Sequence, residues 1–190
     1  MLTRRKLLLG GIAFTALLPA SQADAQQLQD ILRGILPRRG IQTVSISTRF
    51  APGTIVIEPG KYSLYLVLSR GKARRYPVGV GGEGRGFRGT GTIGRKATWP
   101  SWTPTPDMIR RDPKKYKRYA GGVPGGRNNP LGARALYLYR GGQDSYFRIH
   151  GTNQPNTIGR SVSAGCIRMY NNHVIDLYNR VPVGARVVVI

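Results

Sequence analysis

The sequence predicts a mostly β domain with short helices. Three observations lead there. The runs at 53–58 (GTIVIE), 62–69 (YSLYLVLS) and 185–190 (ARVVVI) are rich in β-branched and aliphatic residues, and turn residues bound them. Helical periodicity is confined to brief segments. In addition, 26 glycines and 13 prolines punctuate the chain at short intervals.

The elements follow in order. Arg4, Arg5 and Lys6 precede an apolar run over 7–18 that is too short to span a bilayer, and Ala23-Asp24-Ala25 fits a small-x-small cleavage site. Residues 1–25 therefore read as a secretory signal peptide. Its paired arginines fit either an ordinary basic n-region or a twin-arginine signal. In residues 26–36, Leu28, Ile31, Leu32, Ile35 and Leu36 recur at helical spacing until Pro37. A linker over 37–49 completes a 26–49 segment, and the domain occupies 50–190.

Within that domain, 53–58, 62–69 and 72–80 form a predicted antiparallel meander, with Tyr62, Leu64, Leu66 and Leu68 on one face of the second strand. The glycine-rich stretch 79–94 reads as loop. It lacks both a Gly-Lys-Ser/Thr sequence and a strand-to-helix Gly-x-Gly-x-x-Gly, so nucleotide binding is set aside. Thr105 is placed to cap a short helix with Pro106 at its first position. Lys114 to Arg118 is a basic run, either a solvated face or a contact for an anionic polymer. Residues 121–133 are loop, and 133–139 and 146–150 are strands. Residues 170–181 are a helix capped by Asn171 or Asn172, with Val174 and Leu177 inward and His173 on its polar side. The last strand is 185–190.

A length of 190 residues suits one domain with a real core, and 40% hydrophobic content is ordinary. The net charge of +22 is not. A field of that sign favours anionic partners. In an exported protein it points to the cell envelope, and nucleic acid is not expected as a partner. No paired-aromatic RNA-binding signature is present. One cysteine and two histidines cannot build a usual structural zinc site, so no metal is expected.

The lone cysteine, Cys166, is either a small buried hydrophobe or a reactive thiol. His150 ends an apolar strand, and Cys166 returns after a loop. A strand end and a returning loop can bring the two together. An imidazole there would act as base toward the thiol and depress its pKa. Gly165 permits close backbone approach, and the N–H groups around Gly165 and Cys166 could face a developing oxyanion. Arg148 shares strand parity with His150 and so its face. Trp99 and Trp102 flank Pro100, either anchoring a loop or lining a lid.

The stretch HGTNQPNTIGRSVSAGCIRM (150–169) resembles the signature of L,D-transpeptidases with a YkuD-type catalytic domain. That signature is His-Gly-Thr-Asn, a loop, Ile-Gly, then Ser-x-Gly-Cys-Ile/Val-Arg. GRKATWPSWTPTPDMI (94–109) and PVGARVVVI resemble flanking segments of Gram-negative envelope members. The resemblance covers about residues 50–190. It implies a compact β-sandwich or barrel-like domain and a cysteine acyltransferase that uses no cofactor. Cys166 would be the nucleophile and His150 its base, with the Gly151 carbonyl orienting the ring. Ser163 and Gly165 would shape a substrate pocket that also draws on Arg148 and Trp102. Arg168 would bind a substrate carboxylate or hold its loop by a salt bridge. Many members carry His where this chain has Ala164.

The implied substrates are peptidoglycan stem peptides cut between meso-diaminopimelate and D-alanine. The acyl acceptor would be a second stem, giving 3–3 cross-links, or an outer-membrane protein; with water the enzyme is an L,D-carboxypeptidase. A catalytically silent wall-binding protein is the rival reading, though such a module needs neither Cys nor His.

Overall fold

The computed structural model describes residues 40–82 and 84–190. The segments expected to be a signal peptide and an amphipathic helix lie outside the described residues. Eleven strands are described: β1 (Gln42–Ser45), β2 (Ile55–Glu58), β3 (Ser63–Ser69), β4 (Lys72–Pro77), β5 (Val80–Gly81), β6 (Gly89–Thr98), β7 (Arg134–Arg140), β8 (Gln143–His150), β9 (Ser161–Ser163), β10 (Ile167–Arg168) and β11 (Arg186–Val189). The helices are α1 (Pro106–Arg111), α2 (Pro113–Tyr116) and α3 (Asn171–Arg180). Among the described residues no helix is long and apolar enough to cross a membrane.

Nine strands form one mixed sheet in the order β1-β4-β3-β2-β11-β6-β7-β8-β10, and β5 pairs with β9 in a small second sheet. The predicted meander is β2-β3-β4, antiparallel throughout. At its centre, between β3 and the parallel β11, Ile55 and Ile57 of β2 enter the main core, and Val56 is buried on the opposite face. Leu64 and Leu66 enter the core as their alternation requires. A register shift between Val67 and Ser69 breaks the pattern, buries Val67 and leaves Leu68 exposed.

The sheet closes on itself. Gly79, just past β4, exchanges backbone hydrogen bonds with Arg168 of β10, 2.9 and 2.8 Å long, joining the second strand of the order to the last. Tyr76 of β4, Ile149 of β8, Ile167 of β10 and Val174 and Leu177 of α3 therefore share one apolar cluster. The fold is β-rich with short helices, as the sequence indicates.

The short β9 and β10 fall in the stretch after His150 that carries no strand signal in the sequence, and two further strands depart from the sequence reading. Residues 42–45, taken as linker, form the edge strand β1 on β4. Residues 89–98, mostly taken as glycine-rich loop, form the ten-residue β6 between β11 and β7. Its glycines serve packing: a Cβ on Gly94 would sit inside the Tyr139 ring, 2.6 Å from Cδ1.

The helices keep to the sequence with three differences. The Thr105 side chain accepts from the Met108 N–H at 3.2 Å and Pro106 opens α1, as read. Asp112 then caps α2, so the basic run 114–118 is helical. At α3 the cap is Tyr170, without a side-chain bond, and Asn171 points elsewhere. His173 is buried, not on a polar face, because its ring packs against Tyr170 and Tyr76 with centroids 5.1 and 6.2 Å apart.

Candidate active site

The site is built at the seam where the sheet closes. β10 runs parallel to β8 with Arg168 opposite His150 and Ile167 opposite Ile149. Opposed residues share a face, and alternate residues return to it. Arg148, His150, Cys166 and Arg168 thus lie on one side, and Ile149 and Ile167 on the core side, both buried. Two short strands impose a juxtaposition across 16 residues of sequence.

A cavity of about 240 Å³ opens on that face, and both His150 and Cys166 line it. Ser163, Ala164 and Arg168 form its floor. Trp102, Met108, Lys115, Tyr116, Arg118 and Tyr119 come from the excursion between β6 and β7. Trp102 is anchored as well as facing the cavity. Its backbone pairs with Val123 at 2.9 and 2.7 Å, and its ring meets the Tyr119 ring at 5.8 Å.

His150 is buried at the end of β8. Its Nδ1 lies 2.5 Å from the Gly151 carbonyl oxygen. A carbonyl only accepts, so Nδ1 carries the proton and Nε2 is the basic nitrogen. Burial is the main cause that lowers the His150 pKa to about 4. The Arg168 and Arg148 charges push the same way, and the Gly151 hydrogen bond opposes them. Cys166 is half-buried, and burial raises its thiol pKa against the backbone hydrogen bond from Arg148 and the Arg148 and Arg168 charges. The resting pair is therefore neutral thiol and neutral imidazole, in contrast to the depressed thiol pKa that a nearby imidazole suggested from sequence.

The turn carrying Cys166 is fixed by Ser163. Its buried hydroxyl donates to the Cys166 carbonyl at 2.6 Å and accepts from the Gly165 N–H at 3.1 Å. The Gly165 N–H is thus engaged and is not an oxyanion donor. Among the described residues no acceptor faces the Cys166 N–H. Gly165 has φ +138°, and a Cβ there would lie 2.6 Å from Phe147 Cε1 and against the Arg85 carbonyl. Only glycine fits between the thiol turn and the glycine-rich loop behind it.

The two arginines differ. Arg148 is bound by both carboxylate oxygens of Asp144, at 2.7 and 3.0 Å, and its guanidinium lies over the Tyr137 ring at 4.4 Å. It is not among the residues lining the cavity, so its reach into the site is electrostatic. Arg168 has no carboxylate partner among the described residues. Its Nη1 donates to Gln154 Oε1 and Thr157 Oγ1, each at 3.3 Å, from the cavity floor. These bonds tie Arg168 to the loop over 151–160 without a salt bridge.

From sequence, Asn171 is only a candidate helix cap. Its Oδ1 accepts from the Ala133 and Thr152 N–H groups at 3.0 and 3.2 Å, and its Nδ2 donates to the Thr152 carbonyl at 3.1 Å. It ties the His150-Gly151-Thr152 corner to the start of β7. The available signal was an asparagine five residues past the thiol, at the head of a helix it does not cap.

A family model described as the L,D-transpeptidase catalytic domain, YkuD, matches residues 52–189. The Escherichia coli K12 protein named "Probable L,D-transpeptidase ErfK/SrfK" is 35% identical over 162 residues, which cover 82% of this chain and 51% of that protein. Another from the same organism, "Probable L,D-transpeptidase YbiS", is 38% identical over 113 residues, 58% of this chain and 35% of its own. The chain spans about half the length of the curated relatives that it matches over most of itself. A Brucella melitensis crystal structure titled as a probable carnitine operon oxidoreductase is 51% identical, covers 84% of this chain and 98% of its own, and has a TM-score of 0.56. An L,D-transpeptidase structure from Mycobacterium smegmatis shares the fold at 20% identity and TM-score 0.54, over 72% of this chain and 58% of its own. The match to the family model spans most of the chain and decides the assignment: this chain belongs to the YkuD family of L,D-transpeptidase catalytic domains.

Proposed function

We propose that this protein transfers acyl groups between peptidoglycan stem peptides through a thioester on Cys166. The observation that carries this reading is that His150 and Cys166 line one cavity, with the imidazole tautomer set by the Gly151 carbonyl.

In the first step Nε2 of His150 takes the thiol proton as sulfur attacks the carbonyl of meso-diaminopimelate at its L-centre. The Cys166 N–H faces the oxyanion. The tetrahedral adduct collapses, the imidazolium gives its proton to the departing amine, and D-alanine leaves. An acceptor amine then loses its proton to Nε2, attacks the thioester and restores the thiol. Arg168 holds a substrate carboxylate, and Trp102 bounds the peptide from the opposite wall. Ser163 and Gly165 keep the sulfur in place. Arg148 acts at a distance, by favouring negative charge on sulfur. No cofactor enters these steps.

The signal-like residues 1–25 and the basic charge support a periplasmic site of action, at an anionic wall. The acceptor is a second stem peptide, giving 3–3 cross-links, or an outer-membrane protein. Mass spectrometry of the purified protein with muropeptides tests this. The expected result is an acyl adduct on the intact protein, absent in Cys166→Ala, together with 3–3 dimers or protein-linked stems. Tripeptides alone would make it an L,D-carboxypeptidase. No adduct and no product would leave a silent wall-binding protein.

A further inference from the structure

The cavity has a one-sided charge. Every ionised side chain that lines it is a cation: Lys115, Arg118 and Arg168. The lining includes no Asp or Glu. Among the described residues none of the three has an ion-pair partner, although four carboxylates elsewhere are paired. Asp112, three residues before Lys115, is turned to the Lys115 backbone N–H at 3.1 Å, where it caps α2.

Two of these cations belong to the excursion between β6 and β7, which reaches over the site. The Lys115 ammonium lies 5.2 Å from the Tyr116 ring centroid, and the Arg118 guanidinium 4.7 Å from that of Tyr119. Both rings line the cavity, so the charges are held at its rim by aromatic contacts rather than by acids. Arg168 supplies the third cation from the floor, next to the thiol. A wall and a floor of the same sign, with no internal counter-ion, fit a ligand that carries more than one carboxylate.

A tetrapeptide donor brings such a set. The departing D-alanine ends in a carboxylate close to the scissile bond, which suits Arg168. The diaminopimelate side chain ends in a second one, several bonds away. We propose that Lys115 and Arg118 read this side-chain carboxylate, so that the enzyme selects donors in which it is free over donors in which it is amidated. The proposal rests on the acyl-transfer reading above and extends it to the donor's third residue.

The test compares purified full-chain protein on two disaccharide-tetrapeptide donors, identical except for amidation of the diaminopimelate side chain. Acyl-adduct formation is read by intact mass and D-alanine release by rate. The free acid should be used about ten-fold better in kcat/KM, mainly through KM, and the ratio should shrink as salt rises from about 0.05 to 0.5 M. The double variant Lys115→Gln/Arg118→Gln should bring the ratio close to one. Lys115→Arg/Arg118→Lys should restore it, which a merely structural role of these side chains would not require. Equal use of both donors by the unmodified protein overturns the selectivity and leaves the reaction standing. A ratio that survives in the double Gln variant overturns the assignment to Lys115 and Arg118, again leaving the reaction standing. No adduct with either donor overturns the reaction and this proposal with it.

Discussion

The acid limb of the pH–rate profile is decided by His150. The proposed reaction needs Nε2 unprotonated, and burial beside two arginines puts the ring pKa near 4 instead of its ordinary 6.5. At about pH 5.5 an ordinary imidazole is neutral in roughly one molecule in ten, whereas a ring at 4 is neutral in more than nine in ten. Acylation measured as D-alanine release should therefore hold at about pH 5.5 and fall with a midpoint well below 6. The same shift has a stability sign. The folded pKa lies below the unfolded one, so between about pH 6.5 and 4 the unfolded chain binds a proton that the folded chain refuses. Stability then falls as pH falls through that window, by roughly 3 kcal/mol in all. Burial also lowers the His173 pKa, which acts in the same direction. The assay is a kcat/KM profile from about pH 4 to 8 beside urea melts at the same values. An acid limb centred near 6.5, with flat stability between 6.5 and 4.5, would refute the buried neutral imidazole.

Three further outcomes follow from contacts around the thiol. Ser163→Ala leaves the Cys166 carbonyl and the Gly165 N–H without their partner, so unfolding in urea should show a loss of about 2–4 kcal/mol; a loss below about 0.5 would mean the turn holds without the hydroxyl. Gly165→Ala drives a methyl into Phe147 and the Arg85 carbonyl at a backbone angle that alanine avoids. It should cost about 3 kcal/mol or more and abolish the acyl adduct, and a stable, active variant would contradict the packing. Asn171→Ala should slow acylation about ten-fold or more and shift the acid limb, because the corner bearing the Gly151 carbonyl loses its tie to β7. Asn171→Asp, which keeps the acceptor oxygen, should recover part of both, and loss of stability without a shifted limb would mark Asn171 as merely structural.

Much of this fold is written in local pattern. The meander, the strand 185–190 and the helix over 170–181 are legible because apolar residues recur at the period of their element. β6 is not, since three of its ten residues are glycine. Those glycines weaken the strand signal and gain meaning only when β7 lays Tyr139 over Gly94. β1 fails for the opposite reason: a four-residue edge strand carries too little pattern to separate it from linker. His173 misleads because it is buried between two aromatic rings, Tyr170 one helical turn away and Tyr76 far away in sequence.

The site divides along the same line, and the division bears on mechanism. Cys166 and His150 are visible in sequence because the chemistry names the side chains. The roles of Asn171, Lys115 and Arg118 arise from chain crossings that no spacing announces. The least legible contributor is the Gly151 carbonyl, since any residue type presents one. Yet burial and both arginines oppose an imidazolium at His150, and that carbonyl is the one influence favouring it. In the proposed acylation, proton transfer from the neutral thiol creates this imidazolium while the acyl group is attacked. The ease of the step therefore depends on how firmly a backbone oxygen is held 2.5 Å from Nδ1. Firmness there comes from the hydrogen bond of the Gly151 N–H to the Arg134 carbonyl, 3.0 Å, and from the Asn171 bridge. A substitution that moves this corner by a few tenths of an ångström should weaken the base while Cys166, His150 and the cavity around them all remain in place.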